Sequence, residues 1–203
     1  MGYVLAVVLG YLLGCSNMAY YIAKLQKADL RGGGSGNLGA SNATVLLGWK
    51  AGILVAVHDI GKAALAVLLA RWLLPQLELA DTAAGIACVI GHIFPFYLKF
   101  KGGKGFASYY GMTLALNWKL ALAVGIAIVV VTIVTDYIVC GTLTTVISVP
   151  VYLGLTRGWI PALILSAGTA VILYKHRENF PRMLNGTELG LRSAIRGENK
   201  LKK

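Results

Sequence analysis

The apolar residues of this chain fall in long, nearly unbroken runs, and the polar residues gather in short clusters between them. A helix needs about 20 mostly apolar residues to cross the hydrocarbon of a bilayer. Gly2–Ala23 meets that length. Val45–Leu74 contains a second span, interrupted by His58, Asp59 and Lys62, and Thr82–Leu98 gives a third on the short side. Ile138–Leu155 and Trp159–Tyr174 are clear later spans. The run Phe106–Thr135 is too long for one span and short for two. Asn117-Trp118-Lys119, roughly a third of the way along it, reads as a tight turn with Trp118 at the membrane interface. That turn predicts a short helix over Phe106–Leu116, tilted or partly re-entrant.

Charge decides between the two helix counts. Lys and Arg concentrate at Lys24–Lys50, Lys99–Lys104 and Lys175–Lys203, and the alternate turns hold only Arg71, Lys119 and Arg157. Basic residues stay in the cytoplasm, so the three rich segments belong on one side. The chain is therefore expected to be an all-α integral membrane protein with about seven membrane-crossing helices, some short or re-entrant. Its N-terminus is expected outside and its C-terminus inside. One polytopic domain covers 1–203, with a basic cytoplasmic tail at about 189–203. No internal repeat is visible.

Composition agrees. The residues are 57% hydrophobic with mean hydropathy +0.71, and only 13% are charged. A soluble domain carries about twice that fraction of charge. The net charge of +11 points to an anionic membrane surface and phosphate ligands, and no nucleic-acid motif accompanies it. Cys15, Cys88 and Cys140 lie inside apolar runs, an odd count that gives neither a disulfide framework nor metal spacing. Leu12-Leu13-Gly14-Cys15 loosely mimics a lipoprotein cleavage site, but no basic residue precedes the run, so it reads as a retained helix.

Three polar clusters are expected on the cytoplasmic side. The first is Gly32-Gly33-Gly34-Ser35-Gly36-Asn37-Leu38-Gly39-Ala40-Ser41-Asn42. Glycine-rich backbone can turn its amides inward around an anion, and Ser35, Asn37, Ser41 and Asn42 add side-chain donors. A helix beginning at Val45 would aim its N-terminus at the same point. Gly34–Gly39 also fits G-x-G-x-x-G, but no strand precedes it. The second cluster joins Gly91-His92-Ile93-Phe94-Pro95 to Lys99-Phe100-Lys101-Gly102-Gly103-Lys104-Gly105. His92 would sit about two turns inside the membrane, where a polar residue faces a bundle interior or cavity. Gly102 and Gly103 beside Lys104 would let backbone and ammonium approach one phosphate, and the spacing is not that of a Walker A loop. The third cluster runs Lys175-His176-Arg177-Glu178-Asn179-Phe180-Pro181-Arg182, then Asn185-Gly186-Thr187-Glu188. On a helix His176 and Asn179 share a face. Asp59 and Lys62, three apart, can pair within their span.

Together these clusters resemble the PlsY family of acyl-phosphate:glycerol-3-phosphate acyltransferases. The first is similar to its GSGN-x-GA-[ST]-N motif, the second to GH-x-[FY]-P followed by FKGGKG, and the third to HREN-x-x-R-[LM]-x-x-G-x-E. Asp29-Leu30-Arg31 and Asp59 with Lys62 also resemble family positions, and the match runs from about Gly14 to Glu188. The resemblance implies transfer of a fatty acyl group from acyl-phosphate to the sn-1 hydroxyl of glycerol 3-phosphate, giving lysophosphatidate and phosphate. It implies His92, Lys104, Ser35 and His176 as catalytic residues. Gly34, Gly36, Asn37, Ser41, Asn42, Gly102, Gly103, Arg177, Asn179 and Glu188 would bind substrate. No metal or cofactor is expected. The partners would be the two substrates and membrane lipids, and the chain is expected to be monomeric. The site would face the cytoplasm from the cell's inner, plasma membrane.

The residues themselves suit that chemistry. Both substrates carry phosphate, which takes Lys, Arg, Asn and glycine amides as partners. The His with Asp five residues later that soluble-type glycerolipid acyltransferases use is missing, because Tyr97 follows His92 and Pro181 follows His176 at that spacing. Direct transfer without an acyl-enzyme is therefore expected, driven by positioning and charge stabilisation. Lys104 and the Ser35–Asn37 amides would hold the leaving phosphate, and His176 and Asn179 would position the acceptor. The proton would go to His92 or to a phosphate oxygen. The chain departs from the family pattern at Val45 and Trp49, where basic residues are common, and at Asp136 and Val139, where an Arg-x-x-Ser pattern is usual. One lost charged contact costs about 2–3 kcal/mol. A different acceptor, or a non-catalytic carrier of anions or lipid, is the alternative.

Overall fold

The computed structural model describes residues 1–195, so the tail beyond Ile195 lies outside the described residues. Among those residues every regular element is a helix: α1 Gly2–Cys15, α2 Met18–Leu25, α3 Ala40–Leu47, α4 Trp49–Leu73, α5 Ala80–Ile93, α6 Phe106–Leu116, α7 Trp118–Thr135, α8 Ile138–Arg157, α9 Trp159–His176, α10 Asn179–Leu184 and α11 Leu191–Ile195, with a 3-10 turn at Phe96–Leu98. Six helical stretches, Gly2–Leu25, Trp49–Leu73, Ala80–Leu98, Trp118–Thr135, Ile138–Arg157 and Trp159–His176, are long and apolar enough to cross a membrane. The chain is thus a multi-pass helical membrane protein. Large side chains such as Leu54, Val57, Leu68, Val130, Val151 and Leu163 point outward from their middles. Such an exterior is stable only against lipid. Trp49, Trp72, Trp118 and Trp159 all stand at helix ends, where an indole sits with one edge in lipid and one in water.

The two-helix reading of 106–135 holds for the element boundaries. Asn117 caps α7 by accepting the Leu120 amide at 3.0 Å, which forces the turn between α6 and α7. α6 has only 11 residues and follows a loop whose Gly102, Gly103 and Gly105 are buried. At its other end α6 is met by two arginines. Arg71 at the end of α4 donates to Ala115 O (2.6 Å) and Leu116 O, Arg157 at the end of α8 donates to Leu116 O, and both pair with Asp81. These contacts satisfy carbonyls that a helix C-terminus otherwise leaves unpaired.

Lipid offers no hydrophobic drive between helices, so tight backbone approach has to come from small residues. Against α5, a side chain on Gly10 or Gly14 of α1 would overlap the carbonyls of Ala84 or Cys88. The central core is built from Val67, Val89, Ile93, Tyr109, Met112, Val146, Val149, Leu165 and Ile172, which bring α4, α5, α6, α8 and α9 together.

One expectation is corrected. The helix after the glycine-rich loop begins at Ala40, not Val45, and contains Ser41 and Asn42. Gly48, at φ 90°, breaks it from α4, so the second span starts at Trp49. A single run of apolar residues conceals that break.

Candidate active site

At one end of the bundle a cavity of about 340 Å³ opens between the loop 31–39, α3, the start of α6, the facing ends of α7 and α8, the end of α9, and the segment 188–191. Three hydrogen-bonded assemblies build it.

Asn42, 1% exposed, folds the first loop around itself. Its Oδ1 accepts the Ser35 amide at 2.8 Å, and its Nδ2 donates to Leu30 O (2.8 Å) and Asn37 O (2.9 Å). Gly34 and Gly36 adopt φ of 59° and 67°, which turns the chain back on Asn42. The Asn37 side-chain amide donates to Ser35 Oγ at 2.7 Å, leaving the Ser35 hydroxyl proton free to donate to a ligand. The backbone amides are committed differently than expected: Ser35 N is bonded to Asn42 and Gly36 N to Gly33 O at 3.0 Å. Neither is available to hold a phosphate.

The second assembly is buried under His92. Asp59 Oδ1 meets Lys62 Nζ at 2.8 Å and His92 Nδ1 at 3.3 Å, and Lys62 Nζ lies 2.9 Å from His92 Nδ1 and 2.6 Å from Ser16 O. Asp59 and His92 line the cavity. An ammonium only donates. The shorter Lys62 contact therefore makes Nδ1 of neutral His92 the acceptor and puts its proton on Nε2. Gly102 and Gly103 serve this histidine. Their amides bond Ile93 O (3.0 Å) and His92 O (3.2 Å), pairing carbonyls at the end of α5. A Cβ on Gly102 would overlap His92 O and one on Gly103 would overlap His92 Nε2. Their role is close packing beneath the site, not phosphate contact.

The third assembly carries the cation. Lys104 Nζ donates to Asn179 Oδ1 at 2.5 Å, Asn179 Nδ2 donates to Glu188 Oε1 at 2.7 Å, and Glu188 Oε2 accepts from Arg182 Nε at 2.8 Å. Burial pushes the Lys104 ammonium down to about 8, with Arg182 adding to the effect and Glu188 and Glu178 opposing it. His176 is buried, and its Nδ1 lies 2.8 Å from Ile172 O. A carbonyl only accepts, so Nδ1 carries the proton and Nε2 of the neutral ring is a bare acceptor.

The cavity thus brings a lysine, amide side chains and two histidines of opposite tautomer together at one end of a bundle of membrane helices. Residues 4–186 match the family model described as glycerol-3-phosphate acyltransferase. The chain belongs to that family. It is 37% identical to glycerol-3-phosphate acyltransferase 1 of Oceanobacillus iheyensis over 201 residues, covering 95% of this chain and 97% of the relative. With the glycerol-3-phosphate acyltransferase of Thermoanaerobacter pseudethanolicus it shares 38% identity over 203 residues, covering 95% and 98%. The crystal structure of PlsY (YgiH), an integral membrane glycerol 3-phosphate acyltransferase, in its glycerol 3-phosphate form, superposes with TM-score 0.88 at 33% identity, covering 96% of this chain and 98% of that one. Its lysophosphatidic acid form gives 0.83 at 32% identity, covering 94% and 95%.

Within this family member the cavity gathers Ser35, Asn37, Ser41, Asn42, His92, Lys104, His176, Asn179 and Glu188 from sites far apart in sequence. Gly34, Gly36, Gly102 and Gly103 stand behind that lining and shape it. Arg177 points elsewhere: its guanidinium stacks on the Tyr174 ring at 3.9 Å and pairs with Glu178 at 3.9 Å. Val45 and Val139 do line the cavity, so their lack of polarity is felt by whatever binds. Asp136 instead clasps the C-terminal segment, its Oδ1 accepting Arg192 N and its carbonyl accepting Leu191 N, each at 2.7 Å. Sequence reasoning missed Thr132 and Thr142 of the lining, because a lone threonine in an apolar run carries no signal. For Asp59 it favoured pairing with Lys62 over a direct catalytic role, and no spacing could have told that the carboxylate reaches His92.

Proposed function

We propose that this chain moves a fatty acyl group from acyl-phosphate to the sn-1 hydroxyl of glycerol 3-phosphate, producing lysophosphatidate and inorganic phosphate. The observation that carries the reading is the half-buried Lys104–Asn179–Glu188 chain over a cavity shared with Ser35 and His176. A half-desolvated ammonium there attracts phosphate far more strongly than one in water. The acceptor hydroxyl attacks the acyl carbonyl carbon, the bond to the phosphate oxygen breaks, and phosphate leaves with the electron pair. Lys104 and the Ser35 hydroxyl stabilise the leaving phosphate. His176 Nε2 takes the hydroxyl proton, whereas His92 donates from Nε2 and orients an oxygen. Acyl-phosphate is already activated, so positioning and charge stabilisation supply the rate without a covalent enzyme intermediate. No metal or cofactor enters this scheme.

We also read α6 as a crossing helix, since it begins beside the end of α5 and ends at the Arg71–Arg157 clamp. That gives about seven crossings, an external N-terminus and a cytoplasmic C-terminus, with the basic segments on the cytoplasmic side. The protein would then act as a monomer in the cell's inner membrane, its cavity opening to the cytoplasm. A second reading, transfer to another acceptor, draws on Val45 and Val139 in the cavity wall.

The experiment is phosphate release from palmitoyl-phosphate by purified protein in detergent, with and without glycerol 3-phosphate. Release that depends on glycerol 3-phosphate, with lysophosphatidate appearing, is expected. Release that needs another acceptor would favour the second reading, and no release with any acceptor would refute both.

A further inference from the structure

Thr132 lies near the end of α7, lines the cavity and is 8% exposed. Its hydroxyl has no hydrogen-bond partner in the protein. A threonine inside a helix commonly returns its hydroxyl to the carbonyl one turn back. Its neighbours do so: Thr135 to Val131 O at 2.6 Å, Thr142 to Ile138 O at 3.2 Å, and Thr145 to Gly141 O at 3.0 Å. Thr132 leaves that bond unmade. A buried hydroxyl without a partner opposes folding, and this one belongs to a residue of the cavity wall.

The wall around it narrows the ligand group. Ile138 and Val139 offer no polar atom from their side chains, and the Thr142 hydroxyl proton is already given to Ile138 O. The charged and amide groups that suit phosphate, Lys104, Asn179 and Ser35, come from other elements. A fatty acyl tail has nothing for a hydroxyl to bond. What remains is a neutral oxygen: the donor's acyl carbonyl, where loss of the bond would slow every acceptor alike, or a hydroxyl of the acceptor. Glycerol 3-phosphate has two carbinol groups, of which one reacts and one does not. We propose that Thr132 is a specificity residue that hydrogen-bonds the non-reacting secondary hydroxyl of the acceptor. It then distinguishes glycerol 3-phosphate from an alkanol phosphate that lacks this hydroxyl. The inference rests on the reading of glycerol 3-phosphate as acceptor.

The test compares kcat/KM for glycerol 3-phosphate and for 3-hydroxypropyl phosphate, with palmitoyl-phosphate as donor, in the wild type, Thr132→Val and Thr132→Ser. Loss of one neutral hydrogen bond corresponds to about 3- to 10-fold. The wild type and Thr132→Ser should prefer glycerol 3-phosphate by that factor. Thr132→Val should lose the preference by falling on glycerol 3-phosphate alone, while its thermal midpoint in detergent stays level or rises because no orphan hydroxyl is left. A purely structural threonine would not separate the two acceptors. An unchanged preference in Thr132→Val overturns the assignment even if the enzyme is fully active. If that variant does not accumulate in the membrane, Thr132→Ala gives the same ratio with the same two outcomes. Absence of transfer to glycerol 3-phosphate in the wild type refutes the acceptor reading itself, and the role of Thr132 falls with it.

Discussion

The Lys104 ammonium should set the alkaline limit of activity. Burial and the nearby Arg182 bring it from 10.5 to about 8. That fall corresponds to roughly 3 kcal/mol against the charged form in the folded protein. Below about 8 the ammonium is present and can hold phosphate; at pH 9 about nine-tenths of it is neutral. The value of kcat/KM, which reports the free enzyme, should therefore drop about tenfold per pH unit above 8. Bound phosphate favours the ammonium, so the limb in kcat should move upward. Stability should run the other way. The unfolded chain holds this proton up to about 10.5 and the folded one releases it near 8, so this group's destabilisation is relieved as pH rises between them. The assay is phosphate release across pH 6.5–10 for the wild type and Lys104→Arg, whose guanidinium does not titrate in this range. If Lys104→Arg retains activity with the same alkaline limb, or if the wild type stays flat to pH 9.5, Lys104 is not the titrating phosphate ligand.

Two other substitutions probe what surrounds His92. Asp59→Asn leaves Lys62 buried without its carboxylate, and breaking a buried pair costs about 3–5 kcal/mol. Its thermal midpoint in detergent should fall clearly below that of the wild type, and an unchanged midpoint would remove the pair from the fold's support. Gly103→Ala puts a methyl into His92 Nε2, and a misplacement of about 1 Å can cost on the order of 100-fold in rate. Its kcat should drop sharply in protein that still purifies as the wild type does, whereas normal turnover would show that His92 can move freely.

How far the sequence reaches differs between parts of this molecule. The apolar runs determined the helical membrane class, because a bilayer demands long apolar segments whatever they pack against. Asn117 determined the turn between α6 and α7, since a cap acts within three residues. The polar clusters pointed to Ser35, Lys104, His176 and Asn179 because hydrophilic side chains at the membrane edge stand out. Local signals end where partners are distant. The helix start at Ala40 depends on Asn42 bonding backwards to Leu30, Ser35 and Asn37, which no apolar pattern records. Gly102 and Gly103 read as phosphate-binding backbone, and only the folded loop spends their amides on Ile93 and His92. The tautomer of His92 follows from Lys62 on another helix, a contact fixed by helix packing, whereas that of His176 follows from Ile172 one turn back in its own helix. Asp136 looked like a lost cation, yet it fastens a segment more than fifty residues away. Sequence thus set which groups are present and which segments enter the membrane. Tertiary structure decided which of their donors and acceptors remain free for a substrate, because a hydrogen-bonding group already satisfied by the protein has little left to offer a ligand.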